Sequence, residues 1–192
     1  MLWPMATVAS DIPPRLHLGC GNEVLPGWIN HDLAELPGVD VVHDLDRYPW
    51  PFDADTFAAV RLFHVLEHLA EPVRAIEELH RITAPGGLVH LRVPYWSSQD
   101  MMSDPTHKTC FNEYTFDFFD PVQRHCRERP YYSTARFDIR SRLFWIKPWR
   151  TYRPVRSPSA QRVLSAAARH LAGVIWVLEF QLAKIAVPEH PA

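Results

Sequence analysis

The chain has 192 residues, 47% apolar and 22% charged. At roughly 150 residues per domain this is material for one domain, and the balance excludes a disordered, collagen-like or coiled-coil chain. The net charge of −2 names no nucleic-acid partner, but the charge is unevenly placed. Residues 1–120 hold 7 basic and 18 acidic side chains, and residues 121–192 hold 13 basic and 4 acidic. The simplest expectation is that the basic end docks on the acidic body or on a second copy of the chain. A basic rim for an anionic substrate is the sharper alternative.

Three cysteines, Cys20, Cys110 and Cys126, are widely spaced and form no C-x-x-C pair. Neither a disulfide framework nor a zinc knuckle is expected, and a reducing, cytoplasmic setting is. Met1 to Pro14 lacks a basic segment followed by an apolar run, so it reads as an arm and not as a signal peptide. The apolar run Leu171 to Leu178 stops at Glu179, far short of the ~20 residues that span a bilayer. No membrane contact is expected.

Arg15 to Leu18 reads as a short strand that runs into Gly19-Cys20-Gly21-Asn22. Turns at Pro26-Gly27 and Pro37-Gly38 frame strands at Trp28 to Leu33 and Val39 to His43. Phe57 to Phe63 is apolar apart from Arg61 and reads as a strand buried on both faces. Glu71 to Thr83 has helical spacing, with Pro72 in the first turn and Val73, Ile76, Leu79 and Ile82 on one face. Pro85-Gly86-Gly87 then leads to a strand at Leu88 to Val93. Residues 94–133 form an aromatic-rich stretch, read as an inserted lid on the substrate side of a single domain covering 15–192. Phe137 to Ile146 predicts a strand, Gln161 to Val174 a helix and Leu178 to Leu182 a last strand. Strands alternating with helices and loops predict an open α/β sheet of Rossmann-like type, mostly parallel, with helices on both faces.

The first strand ends in G-x-G, where glycine allows a tight turn and close approach of backbone to a ligand. Asp32 ends the second strand, where an acid can accept both hydroxyls of a ribose. Asp44 follows the third strand. A third glycine is absent, and the next strand starts only about seven residues after Gly21, too soon for a crossover helix.

These pieces together resemble the small class I S-adenosylmethionine-dependent methyltransferases. The match rests on Leu18-Gly19-Cys20-Gly21-Asn22, on Pro26-Gly27-Trp28-Ile29-Asn30-His31-Asp32-Leu33, and on His43-Asp44-Leu45. His64-Val65-Leu66-Glu67-His68-Leu69 and Pro85-Gly86-Gly87 complete it, so it covers residues 15–94. The resemblance implies that S-adenosyl-L-methionine is the cofactor and that the last strand runs antiparallel. It also implies that Gly19, Gly21, Asp32, Asp44, Leu45 and His64 contact the cofactor. Their neighbours Cys20 and Leu33 join that expected set. The abbreviated segment between Gly21 and Trp28 departs from the family. Asp104-Pro105-Thr106-His107-Lys108 and the phenylalanines after it resemble a subgroup for which no single chemistry is implied.

Methyl transfer from a sulfonium is an in-line displacement that needs orientation and, for a neutral acceptor, a base. His107, in the loop after the fifth strand, is the first candidate base, and His64 is the second. Tyr95, Trp96 and His107 are the expected acceptor contacts. A small acceptor, aromatic or acidic, is the expected partner. A methyltransferase acting on RNA or protein through the basic end, and a cofactor-binding subunit without catalysis, are the alternatives. Whether the chain forms a homodimer is left open.

His64-Val65-Leu66-Glu67-His68 also fits the H-x-x-E-H pattern of inverted zinc peptidases. That motif needs a long helix, and here a buried strand runs straight into it. No metal site is therefore assigned, although a pairing of His64 or His68 with His107 is the arrangement that would make one.

Overall fold

The computed structural model describes residues 13–186. The arm expected at 1–14 lies almost wholly outside that range. An eight-stranded sheet has the order β3-β2-β1-β4-β5-β8-β6-β7. Its strands are β1 (Arg15–Leu18), β2 (Ile29–Asp32), β3 (Val41–Val42), β4 (Phe57–Phe63), β5 (Thr83–Pro94), β6 (Phe137–Ile146), β7 (Arg153–Val155) and β8 (Val177–Lys184). The pairs among β1 to β5 are parallel. β8 runs antiparallel to both β5 and β6, as the resemblance implied for the last strand. The short β7, absent from the sequence reading, pairs antiparallel with β6.

Two helices of 11 residues cover the sheet: α1 (Pro72–Ile82) and, after two short helices at α2 (Gln99–Ser103) and α3 (Arg124–Glu128), α4 (Pro158–Ala168). Both long helices start on proline, whose missing N–H costs nothing in a first turn. The α4 helix begins three residues earlier than its spacing suggested, because Ser157 caps it by accepting the Ala160 N–H. It also ends earlier, at Ala168, followed by a turn through Gly173 with φ +72°. In α1 the buried residues are Ala75, Ile76, Leu79 and Ile82, whereas Val73, expected on that face, is exposed. Pro85-Gly86-Gly87 does not separate helix from strand. Thr83 already pairs with Phe57, and the register shifts before Ala59 meets Leu88.

The core lies on one side of the sheet. Leu16, Leu18, Val60, Leu62, Val89, Leu91, Leu178, Phe180 and Leu182 alternate inward along their strands and join the buried residues of α1 and Ala168 of α4 in one cluster. The connections β1–β2 and β2–β3 contain no helix. The long helices α1 and α4 both bring residues into this cluster. On the other face His17, Arg61, Phe63, His90, Arg92 and Glu179 alternate with the core residues.

Part of the uneven charge meets inside the chain. Arg142 pairs with Asp117, Lys147 with Asp100 and Lys184 with Asp55, so basic side chains of the last third meet acids of the body. The stretch 94–133 is built into the core, with Phe111, Phe116 and Phe119 buried in it.

Candidate active site

The carboxyl ends of β1, β2, β3 and β4 open onto one cleft of about 460 Å³. This is where ligands enter open α/β sheets, and the volume falls in the ~300–1,000 Å³ range of small-molecule sites. Gly19, Asp32, Leu33, Asp44, Leu45 and His64 all line it, six residues that the sequence singled out. Cys20 sits behind the loop, buried, where burial and the nearby Asp32 carboxylate push its thiol pKa up.

The loop after β1 is shaped by its glycines. Gly19 has φ +61° and Gly21 φ +51°, both in the left-handed region. A Cβ on Gly19 would stand 2.4 Å from Val65 Cγ2, so glycine is required where the loop passes the end of β4. Asp32 closes the loop from the side: its Oδ2 accepts the Gly21 N–H at 2.7 Å and its Oδ1 accepts the Ala34 N–H at 3.0 Å. A carboxylate so held keeps acceptor capacity toward the cleft.

His64 ends β4 with φ +56°, an uncommon conformation for a residue with a Cβ. Its Nδ1 lies 3.2 Å from Oε1 of Glu67, whose side chain is fully buried. If Nδ1 carries the proton, Nε2 is left as the acceptor. Glu67 sits in a short 3-10 turn, Leu66–His68, which explains why the H-x-x-E-H pattern does not form a long peptidase-type helix.

Several lining residues were not singled out for the cleft: His31, His43, Asp46, Val65, His68, Leu69 and Lys108. His31 is 1% exposed, and burial pushes its imidazole down to about 4. Lys108 crosses from the segment after β5 and bonds Asp46 Oδ2 at 2.9 Å. Burial works against ionisation of Asp46, but Lys108 and the Ala70 N–H outweigh it and hold the carboxyl below its ordinary range. The Lys108 and Thr109 N–H groups both donate to the Glu67 carbonyl, at 2.7 and 3.2 Å, which docks residues 104–109 beside the cleft.

The other expected acceptor contacts lie elsewhere. Tyr95 is 3% exposed and donates its hydroxyl to Glu113 at 3.0 Å, so it is packed into the core. Trp96 is exposed and does not line the cleft. His107 stands one layer back, its ring centroid 4.7 Å from that of His68. A second depression of about 320 Å³, between Arg142, Phe144 and α4, shares no residue with the cleft.

The methyltransferase-domain family matches residues 14–137, nearly two-thirds of the chain. The chain belongs to that family. Its members use S-adenosyl-L-methionine, and the Gly19 turn and the Asp32 carboxylate fit the two needs of that cofactor, close backbone approach and acceptance of ribose hydroxyls. An S-adenosylmethionine-dependent methyltransferase from Archaeoglobus fulgidus is similar over 91% of this chain and 87% of its own, at 17% identity and a TM-score of 0.57. One from Thermotoga maritima, described as a possible histamine N-methyltransferase, is similar over 92% and 84%, at 11% identity and a TM-score of 0.58. At those identities the likeness is one of fold. An uncharacterized methyltransferase of Schizosaccharomyces pombe is 50% identical over 42 residues, 22% of this chain and 15% of that protein. The match thus spans a small part of that relative. Among the described residues no helix is long and apolar enough to cross a membrane.

Proposed function

We propose that this methyltransferase-family chain transfers the methyl group of S-adenosyl-L-methionine to an oxygen or nitrogen atom of a small acceptor. The observation that carries this reading is the gathering of Gly19, Asp32, Asp44 and His64 around one cleft of cofactor size. Asp32 would hold the ribose and the glycine loop the methionine end. Asp44 and Leu45, after β3, would meet the adenine. When bound, the cofactor supplies the electrophilic methyl carbon.

The protein's own task is then to orient the acceptor and take its proton. His64 is better placed for that than His107. It lines the cleft, its side chain is 46% exposed, and buried Glu67 can hold its Nδ1 proton and so leave Nε2 as the base. His107 has a side chain only 8% exposed, does not line the cleft, and packs against His68, which does. A cleft of about 460 Å³ is of small-molecule size, which supports a small acceptor beside the cofactor.

Calorimetric titration with S-adenosylmethionine and S-adenosylhomocysteine tests the reading. Micromolar binding of either, weakened at least tenfold in Asp32→Ala, is expected. Formation of S-adenosylhomocysteine is then followed across small hydroxyl, amine and carboxylate acceptors. Absence of binding by the folded protein overturns the proposal. Turnover unchanged in His64→Gln removes His64 as the base.

A further inference from the structure

We propose that Glu67, His68 and His107 form a binding site for one divalent first-row transition-metal ion. One ligand atom from each lies within 4.8 Å of the others. Donors about 2.0–2.1 Å from a tetrahedral ion stand ~3.3 Å apart, so modest side-chain rotation closes the set.

The hydrogen bonds around both imidazoles favour this use. His107 Nδ1 lies 3.0 Å from the Met101 carbonyl, which can only accept, so Nδ1 bears the proton. His68 Nδ1 lies 2.9 Å from Thr106 Oγ1, and that hydroxyl already donates to Asp104 Oδ1 at 2.6 Å. His68 Nδ1 is therefore also a donor. Each ring is left with Nε2 as a bare lone pair. Metal-bound histidines are oriented this way, the far N–H tied to a carbonyl or to a group backed by a carboxylate.

The third ligand supplies an independent sign. Glu67 is fully buried, its Oε1 faces His64 Nδ1, and its Oε2 is buried with no hydrogen-bond partner among the described residues. An orphaned carboxylate oxygen in a dry position is costly, and a cation shared with two imidazoles removes that cost. Asp104 Oδ2 stands 3.8 Å from His107 Nε2, too far for a hydrogen bond and near enough to approach the same ion. Two imidazoles and a carboxylate select zinc or a neighbouring ion such as cobalt or iron over magnesium or calcium. Three protein ligands leave a coordination position open, and His68 faces the cleft, so an oxygen donor there can complete the shell. The ion site does not rest on the methyl-transfer reading.

The test is titration of the chelator-treated protein with Co²⁺, followed by its visible d–d absorption, then competition with Zn²⁺. One Co²⁺ per chain is expected, displaced by Zn²⁺. His68→Ala, His107→Ala and Glu67→Gln should each weaken binding at least tenfold, and His170→Ala, at an exposed position, should not change it. Circular dichroism checks the fold. If buried His107→Ala unfolds, His68→Ala and Glu67→Gln decide. No bound Co²⁺ in the folded wild type, or unchanged affinity in those variants, overturns the site. Cofactor calorimetry on the same samples reports separately, so loss of one binding with retention of the other tells the two readings apart.

Discussion

The carboxylate of Asp32 and the backbone of Gly21 are joined at 2.7 Å, so the end of β2 and the turn after β1 hold one another in place. Asp32→Ala removes both the expected ribose acceptor and this brace. Cofactor affinity should fall at least tenfold, corresponding to ~1.4 kcal/mol or more. Asp32→Asn keeps the shape and one accepting oxygen, and should fall between wild type and alanine. Calorimetry with S-adenosylhomocysteine measures both, and affinity unchanged in the alanine variant would exclude the ribose role.

Gly19 sets a second test, because two separate obstacles oppose a side chain there. A Cβ would meet Val65 Cγ2 at 2.4 Å, and the backbone is left-handed at φ +61°. Left-handed backbone costs a non-glycine residue roughly 1–2 kcal/mol. Gly19→Ala should therefore lower the thermal midpoint and weaken cofactor binding. Gly19→Ala combined with Val65→Ala removes the collision and leaves the backbone cost, so part of the loss should return. Equal defects in the single and double variants would show that the collision with Val65 is unimportant.

Much of the cleft was legible because its parts are local. Gly19, Asp32, Asp44 and His64 stand at strand ends or just beyond them, and a parallel sheet brings such ends to one edge whatever lies between. The fold class followed from the same alternation of strands and loops. What was not legible depends on contacts between distant residues. Lys108 reaches the cleft because its N–H and that of Thr109 bond the Glu67 carbonyl, some 40 positions away. Tyr95 and Trp96 follow β5 directly, so adjacency placed them at the cleft; a hydrogen bond to Glu113 instead draws Tyr95 into the core. The lack of a helix between β1 and β2 had one visible sign, the short segment between Gly21 and Trp28.

Acid should destabilise the protein through His31 before it touches the carboxylates. The ordinary imidazole pKa is 6.5, and burial pushes that of His31 down to about 4. Between those values the unfolded chain binds a proton that the folded one refuses. Stability is therefore complete above about pH 6.5 and is lost as pH falls toward 4, by about 3 kcal/mol for this group. His17 and His80, also shifted down mainly by burial, act in the same direction. Urea unfolding at a series of pH values should show wild type losing stability relative to His31→Gln across this window. Parallel curves would remove His31 as a cause.

Glu179 governs the more acidic range. On the sheet face opposite the core cluster it accepts from Arg92 Nε and Trp145 Nε1 and faces His90 Nε2, each at 2.8 Å. Burial alone would raise its carboxyl; the His90 bond, the Arg92 charge and the Trp145 bond outweigh this and hold it at about 2. A carboxyl depressed in the folded state stabilises above its ordinary value of 4.5, and that contribution disappears as pH falls from 4.5 to about 2. Glu179→Gln keeps an acceptor for one neighbour and leaves Arg92 without its counter-charge. A loss of about 2–3 kcal/mol at pH 7 is expected, since hydrogen bonds to a charged group are worth about 1.5–3 kcal/mol. The variant should also lose the stability gradient that wild type shows below pH 4.5. A loss confined to the neutral range, with the acid gradient intact, would mean that Glu179 acts by shape and not by charge.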